Sequence, residues 1–420
     1  MRLVDVVAGL AAGRICSVDM VEQVLAKIAA GNADLGAVWH LAEAEARMAA
    51  RVSDARRASS APLSELDGVP VGLKDNIDVA GWPMTNGLGT AWIAEADAWI
   101  TARLRALGAI PIAKLAMHEA ALGATSDNPH HGRVHNPIRH GFTPGGSSGG
   151  SAAAITTGWL PLTFGTDTMG SVRLPAAYCG CVGFKPARDV LPLDGVFPLA
   201  PSLDHLGPLT ATVADVALAM RVITGGADRP LGRPLRLAVP KDMAGVAVDA
   251  EVLAAFEAAV SRLRTVAEVE EVDLGLNLAE LRKAGLLIVV AEGADALAEM
   301  RARVPEALSS ELTGFLDYGL KAAPEKVAAR RAVLDAAGPA LAAVLSIFDG
   351  VLLPTAPQTS FPFTQDAPAN QADLAALANA TGAAAITLPC PVGEGMLPIG
   401  LQIVGDVPFG ALAELERALG

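Results

Sequence analysis

Basic clusters, long apolar runs, paired cysteines and aromatic residues are all scarce in this sequence, and each scarcity removes a class of function. Aromatics make up 4% of the 420 residues, which favours a small or aliphatic ligand over a broad stacking surface. The four cysteines, Cys16, Cys179, Cys181 and Cys390, are scattered. No second Cys or His pair stands at ligand spacing from Cys179 and Cys181, so neither a zinc site nor a disulfide framework is expected, and the thiols read as buried and inert. Apolar runs end at stretches such as Leu286–Ala291, far below the roughly 20 residues that span a bilayer. No long basic segment offsets the net charge of −13, which argues against a nucleic-acid partner. The start, MRLVDVVAGLAAGRICSVDM, carries Asp5 early and has neither the basic opening nor the unbroken apolar core of a secretory signal. A soluble, cytoplasmic chain without a membrane partner is expected, its acid excess serving solubility.

What is present is a globular composition, 52% apolar with 42 glycines. Length alone suggests two or three domains, yet composition shifts nowhere sharply and no repeat or linker stands out, so one domain over residues 1–420 is expected. Residues 4–57 read as helical, with Ser17 or Asp19 capping VEQVLAKIAAG, Gly31 ending it, and a second helix through LAEAEARMAARVSDARRA. VPVGLKDNIDV reads as a buried strand running into a loop. TARLRALGA and DAEVLAAFEAAVSRLRT read as helices, and IPIAKL, LRLAVPKD, VAEVEEVDL, DGVLLPTAP and GLQIVG as strands, with residues 276–345 mostly helical. That alternation predicts an α/β sheet. The stretch DNPHHGRVHNPIRHGFTPGGSSGG, full of Pro, Gly and Asn, cannot be regular, and a loop of that length inside a compact unit is usually functional.

Three segments carry candidate chemistry: V-G-L-K-D-N around Lys74, T-P-G-G-S-S-G-G-S-A-A-A around Ser147, and G-T-D-T-M-G-S-V-R-L-P around Ser171. The second is a glycine-rich turn entering a helix of small residues, where backbone approaches a ligand closely and free N–H groups favour an anion. In the third, peptide N–H groups of Thr168, Met169, Gly170 and Ser171 could converge as an oxyanion hole, fixed donors aimed where negative charge develops. A serine is a poor nucleophile until its proton is taken. A buried lysine can take it, because desolvation disfavours the ammonium.

Rival readings remain beside this one. Gly145-Gly146-Ser147-Ser148-Gly149 could be a phosphate cradle, though the Lys-Ser/Thr of a P-loop does not follow. It also matches the G-x-S-x-G nucleophile elbow, but loop-like residues precede it where a strand is required, and only His205 follows as a candidate base. Lys74 could be an ordinary solvated lysine. His130, His131, His135 and His140 lack helical ligand spacing and read as loop-surface histidines, and Glu268–Asp273 as a solvated strand face.

Taken in order, GVPVGLKDNIDVAG, ATSDNPHHG…HNP, PGGSSGGSAAA, FGTDTMGSVRLPAAYCGCVGFKP, SLDHLGPLTATVADVALAM, FDGVLLPTAP and LPIGLQIVG resemble the amidase-signature family over nearly the whole chain. The resemblance implies an α/β fold, a large twisted mixed β-sheet covered on both sides by α-helices. It implies a catalytic core at about 65–215 and a variable helical region at about 276–345 that shapes the substrate pocket. It further implies a Ser–cis-Ser–Lys triad: Ser171 as nucleophile, Ser147, entered by a cis peptide bond, as relay, and Lys74 as base, with no metal and no organic cofactor. Ser148 and Asp167 would be supporting hydrogen-bonding residues, and Arg173 would orient the loop.

The expected activity is hydrolysis of the C–N bond of a small amide, urea or carbamate through an acyl-enzyme. Relatives often form dimers, so a homodimer is expected. Alternatives inside the family are a glutaminase subunit of a tRNA-dependent amidotransferase and an allophanate-hydrolase-like enzyme. Against the glutaminase, Leu174 stands where that subunit is expected to carry Gln. A silent binding protein is the reading outside catalysis. One position departs from the family's D-T-G-G-S: Met169 replaces a glycine. Either it disturbs a backbone angle that the glycine needs, or its side chain narrows the acyl pocket, and the second is favoured.

Overall fold

The structure, a computed structural model, describes residues 1–228 and 230–420. Its frame is one mixed sheet of 11 strands. In chain order these are β1 (Val38–Leu41), β2 (Pro70–Lys74), β3 (Ile110–Leu115), β4 (Leu162–Thr166), β5 (Val182–Lys185), β6 (Leu206–Thr210), β7 (Leu235–Pro240), β8 (Ala267–Val272), β9 (Gly350–Pro354), β10 (Ala385–Pro389) and β11 (Gly400–Val404). Across the sheet they lie in the order β1-β3-β2-β4-β6-β5-β10-β11-β9-β7-β8. Pairs β3/β2 and β2/β4 are parallel on one flank, β9/β7 and β7/β8 on the other, and the strands between them are antiparallel. Helices cover both sides, and β2, β3, β4, β6, β9 and β11 are buried at every residue, as strands enclosed on both faces must be.

The strands read as VPVGLKDNIDV, IPIAKL, LRLAVPKD, VAEVEEVDL, DGVLLPTAP and GLQIVG all lie in this sheet. The remaining five, β1, β4, β5, β6 and β10, were not anticipated. LTFGT, VGFK and LGPLT contain glycine, and β6 holds Pro208 in a central position, so intrinsic strand preference is weak there and pairing decides. The acidic stretch is the edge strand β8, whose Glu268, Glu270 and Glu271 face solvent and discourage pairing with another chain.

Two helix ends differ from expectation. Ser17–Leu35 is capped by Cys16, whose sulfur accepts the Asp19 N–H, and it ends at Gly36 with φ 70°. Cys16 is therefore a part-buried cap, unlike the three buried thiols. Gly31 lies inside that helix, where a Cβ would stand 2.8 Å from the Trp159 ring. It permits close packing rather than terminating the helix. Residues 276–345 form helices Leu278–Ala296, Ala298–Arg303, Ser310–Leu320 and Pro324–Leu345. Among the described residues no helix is long and apolar enough to cross a membrane.

Candidate active site

The site lies at the carboxyl ends of the parallel neighbours β2 and β4, where open α/β sheets commonly bind ligands. Their register sets Leu73 opposite Phe164, so the last residues, Lys74 and Thr166, emerge side by side. Lys74 is wholly buried. Its Nζ lies 2.7 Å from Ser147 Oγ and 2.8 Å from Thr166 Oγ1, and Asn76 Nδ2 donates to the same threonine at 3.0 Å. Burial pushes the Lys74 amine from 10.5 down to about 7, against smaller upward pulls from Asp167 and Asp204. At neutral pH, then, the amine and ammonium forms are comparably populated, and the solvated-lysine reading does not hold.

Ser147 stands before helix Gly149–Thr156, and the Gly146–Ser147 peptide bond is cis. The Ser148 N–H donates to the Ser171 carbonyl at 3.2 Å, and Ser148 Oγ donates to the Thr166 carbonyl at 3.2 Å. These bonds tie the glycine-rich turn to both β4 and the Ser171 segment. Ser171 is partly exposed on the wall of a cavity of about 880 Å³. In its present rotamer its hydroxyl has no hydrogen-bond partner among the described residues, so the structure joins Lys74 to Ser147 directly but does not join Ser147 to Ser171.

Asp167 organises the turn after β4. Its carboxylate accepts N–H groups of Gly170 (2.7 Å) and Val172 (3.1 Å) and pairs with the Arg173 guanidinium at 3.0 Å, both side chains fully buried. Burial alone would push this carboxyl up, but Arg173, with lesser help from Lys185 and Asn379, outweighs it and holds the group well below the usual carboxylate range. Arg173 also donates to Gln402 and Asn379, each at 2.7 Å, and does not reach the cavity.

The expected set of four converging N–H groups is corrected here: that of Gly170 is consumed by Asp167. The N–H groups of Thr168, Met169 and Ser171 have no acceptor among the described residues. Positive φ falls on Gly170, at 118°, and not on Met169, so the residue that replaces the glycine is under no backbone constraint of that kind. Instead its thioether packs on helix Leu278–Ala296, where a Cβ on Gly285 would meet Met169 Cε at 2.9 Å, and it lines the cavity.

That helix also contributes Arg282, Leu286 and Val289 to the wall. Further lining comes from His118 and its neighbours, from Ser309, Ser310, Glu311 and Phe315, and from the 361–372 stretch with Phe361, Phe363 and Gln371. The last stretch, His118 and the Thr166–Asn76 pair escaped the sequence reading. Thr166 and Asn76 lie inside the quoted motifs, but nothing in their spacing signals that they meet at the lysine. The cavity is also roomier than the low aromatic content suggested.

Other rivals lose their footing. His205 is buried, with Nδ1 2.7 Å from the Leu203 carbonyl and no serine partner among the described residues. Burial lowers it to about 3, so it is a poor base. Of the loop histidines, His130 bonds Glu119, while His135 and His140 stack on each other.

A family model described as Amidase matches residues 19–408. A glutamyl-tRNA(Gln) amidotransferase subunit of Anaeromyxobacter sp. (strain K) is 41% identical over 61% of this chain, which there spans only 56% of the relative's length. The protein of the same name from Chloroflexus aggregans is 33% identical over 95% of this chain and 91% of its own. Indoleacetamide hydrolase of Pseudomonas syringae pv. syringae is 45% identical over 48% of this chain and 46% of its own. A solved structure described as an amidase superposes with TM-score 0.91 at 31% identity, covering 100% of this chain and 98% of the other.

Proposed function

The chain belongs to the amidase family, and we propose that within it this protein is a serine amidohydrolase that cleaves a small amide, urea or carbamate through an acyl-enzyme on Ser171. The observation that carries the reading is the wholly buried Lys74 amine, 2.7 Å from the Ser147 hydroxyl and held near neutrality by burial. Neutral Lys74 takes the Ser147 proton while Ser147 takes that of Ser171, whose free hydroxyl turns onto Ser147 as the substrate arrives. Such bonds commonly tighten only in the substrate complex.

Ser171 then attacks the carbonyl carbon, and the oxyanion is held by N–H groups of Thr168, Met169 and Ser171. Lys74, through Ser147, returns the proton to the departing nitrogen. Water, deprotonated by the same relay, attacks the ester and releases the acid. Asp167 and Arg173 hold the turn that presents these donors, and Ser148 locks the relay serine against β4. Supporting the substrate class are the cavity above Ser171 and the relative named an indoleacetamide hydrolase.

Incubation with a fluorophosphonate followed by peptide mass spectrometry is expected to label Ser171. Label elsewhere, or full activity in Lys74→Ala, overturns the reading. A screen of amides, ureas and esters that includes indoleacetamide, run beside Ser171→Ala, then identifies the substrate.

A second reading, the glutaminase component of a tRNA-dependent amidotransferase, is favoured by the Chloroflexus relative, which is similar over 95% of the chain. It predicts glutaminase activity that appears only with a copurifying partner. Amide hydrolysis by the isolated chain favours the first.

A further inference from the structure

The proposed mechanism makes no use of His118, although the residue sits against its centre. The His118 backbone N–H donates to the Ser147 carbonyl at 3.1 Å, and the residue lines the same cavity wall as Ser171. Burial pushes the imidazole down to about 4, despite upward pulls from Glu119 and Asp127. At neutral pH the ring is uncharged, with one nitrogen bearing hydrogen.

Thr125 Oγ1 lies 3.2 Å from Nδ1, and the Asp127 N–H donates to that oxygen at 3.3 Å. Nδ1 is therefore engaged by the threonine hydroxyl, which can donate its own hydrogen to it. With the Thr125 hydroxyl donating to Nδ1, the hydrogen on the ring is carried by Nε2. Nε2 has no protein partner among the described residues. It packs so closely on Gly123 that a Cβ there would clash with it. Thr125 on one side and Gly123 on the other fix the ring, leaving Nε2 unpartnered on a residue that lines the same cavity as Ser171.

In the mechanism proposed above the turn at 168–171 serves the scissile carbonyl oxygen, so a hydrogen on Nε2 is left for a different atom of the substrate. We propose that the Thr125 hydroxyl donates to Nδ1 and that His118 is a specificity-determining residue whose Nε2–H donates a hydrogen bond to an acceptor oxygen on the substrate outside the scissile carbonyl. The site then selects amides that carry an ether, carbonyl or carboxylate oxygen near the bond to be cut over their purely aliphatic counterparts. This rests on the amidohydrolase reading above and narrows its substrate class. A donor left without an acceptor in a desolvated pocket penalises the aliphatic member, which is how a polar site discriminates.

The test is a set of aliphatic amides and isosteres in which one methylene, stepped along the acyl or amine side, is replaced by oxygen. In the wild type the best oxygen-bearing member is expected to exceed its parent by roughly ten-fold in kcat/KM, mainly through KM. His118→Ala is expected to erase that preference. His118→Gln, which offers an amide N–H near the Nε2 position, is expected to restore part of it. Gly123→Ala, which displaces the ring without removing it, is expected to reproduce the alanine variant.

Fluorophosphonate labelling of Ser171 in every variant reports that the fold and nucleophile are intact. An unselective wild type, equal loss on both members of a pair, or a preference that survives in labelled His118→Ala overturns the proposal. A wild type that hydrolyses the series but is not labelled on Ser171 sinks the amidohydrolase mechanism instead, a distinguishable result.

Discussion

Lys74→Met is expected to destroy activity and yet make the protein more stable at neutral pH. The Lys74 amine falls from 10.5 in the unfolded chain to about 7 in the fold because burial disfavours its charge. At pH 7 the unfolded chain holds the proton firmly and the folded chain only about half the time, a difference that opposes folding by about 4 kcal/mol. Methionine has similar length and no charge to desolvate, so it removes this opposition. It also forfeits the bonds to Ser147 and Thr166, worth about 1 kcal/mol each.

The net expectation is a gain of roughly 2 kcal/mol at pH 7. The sign depends on pH. Between 7 and 10.5 the unfolded chain sheds a proton that the folded chain has already lost, so the wild type gains on the variant across that window. The two should be equally stable near about pH 9, with the wild type ahead above it. Urea unfolding of both proteins from about pH 6.5 to 9.5 reads the difference directly, since groups common to both cancel. A stability difference that stays flat with pH, or a variant several kcal/mol weaker at pH 7, would refute a desolvated base.

Three further outcomes follow from the same geometry. The acid limb of kcat/KM should rise with a one-proton slope and a midpoint near pH 7, because activity requires the neutral amine whose proton is lost there; a midpoint below about pH 5 in steady-state rates would exclude Lys74 as base. Asp167→Asn leaves the fully buried Arg173 charge uncompensated and should lower stability by about 3–5 kcal/mol in urea unfolding, whereas a loss below about 1 kcal/mol would show that Gln402 and Asn379 suffice. Met169→Ala should open the acyl side of the cavity and raise kcat/KM for bulkier acyl groups by roughly ten-fold, while Gly285→Ala, by pushing the thioether into the cavity, should do the reverse; unchanged chain-length profiles in both would remove Met169 from the pocket.

The residues of the proposed chemistry could be read from the chain because small side chains leave a local signature. Glycine and serine runs around Ser147 and Ser171 allow close approach of backbone, and those runs survive as linear motifs. A lysine after VPVG at a strand end has the same character, and the strands with apolar or alternating pattern could be read on the same footing. The short strands β4, β5 and β6 could not, since their glycine and proline content speaks against strand until neighbours supply hydrogen bonds.

Linear order alone determined which residues carry reactive groups and which family they resemble. Tertiary structure decided what those groups are in place: that Lys74 lies beside Thr166 because β2 and β4 are parallel neighbours, and that the Gly170 N–H is spent on Asp167. It also decided that His118 and the 361–372 stretch wall the pocket. Each of these depends on burial and pairing between segments distant in the chain, and desolvation is a property of the assembled surroundings that no local pattern encodes.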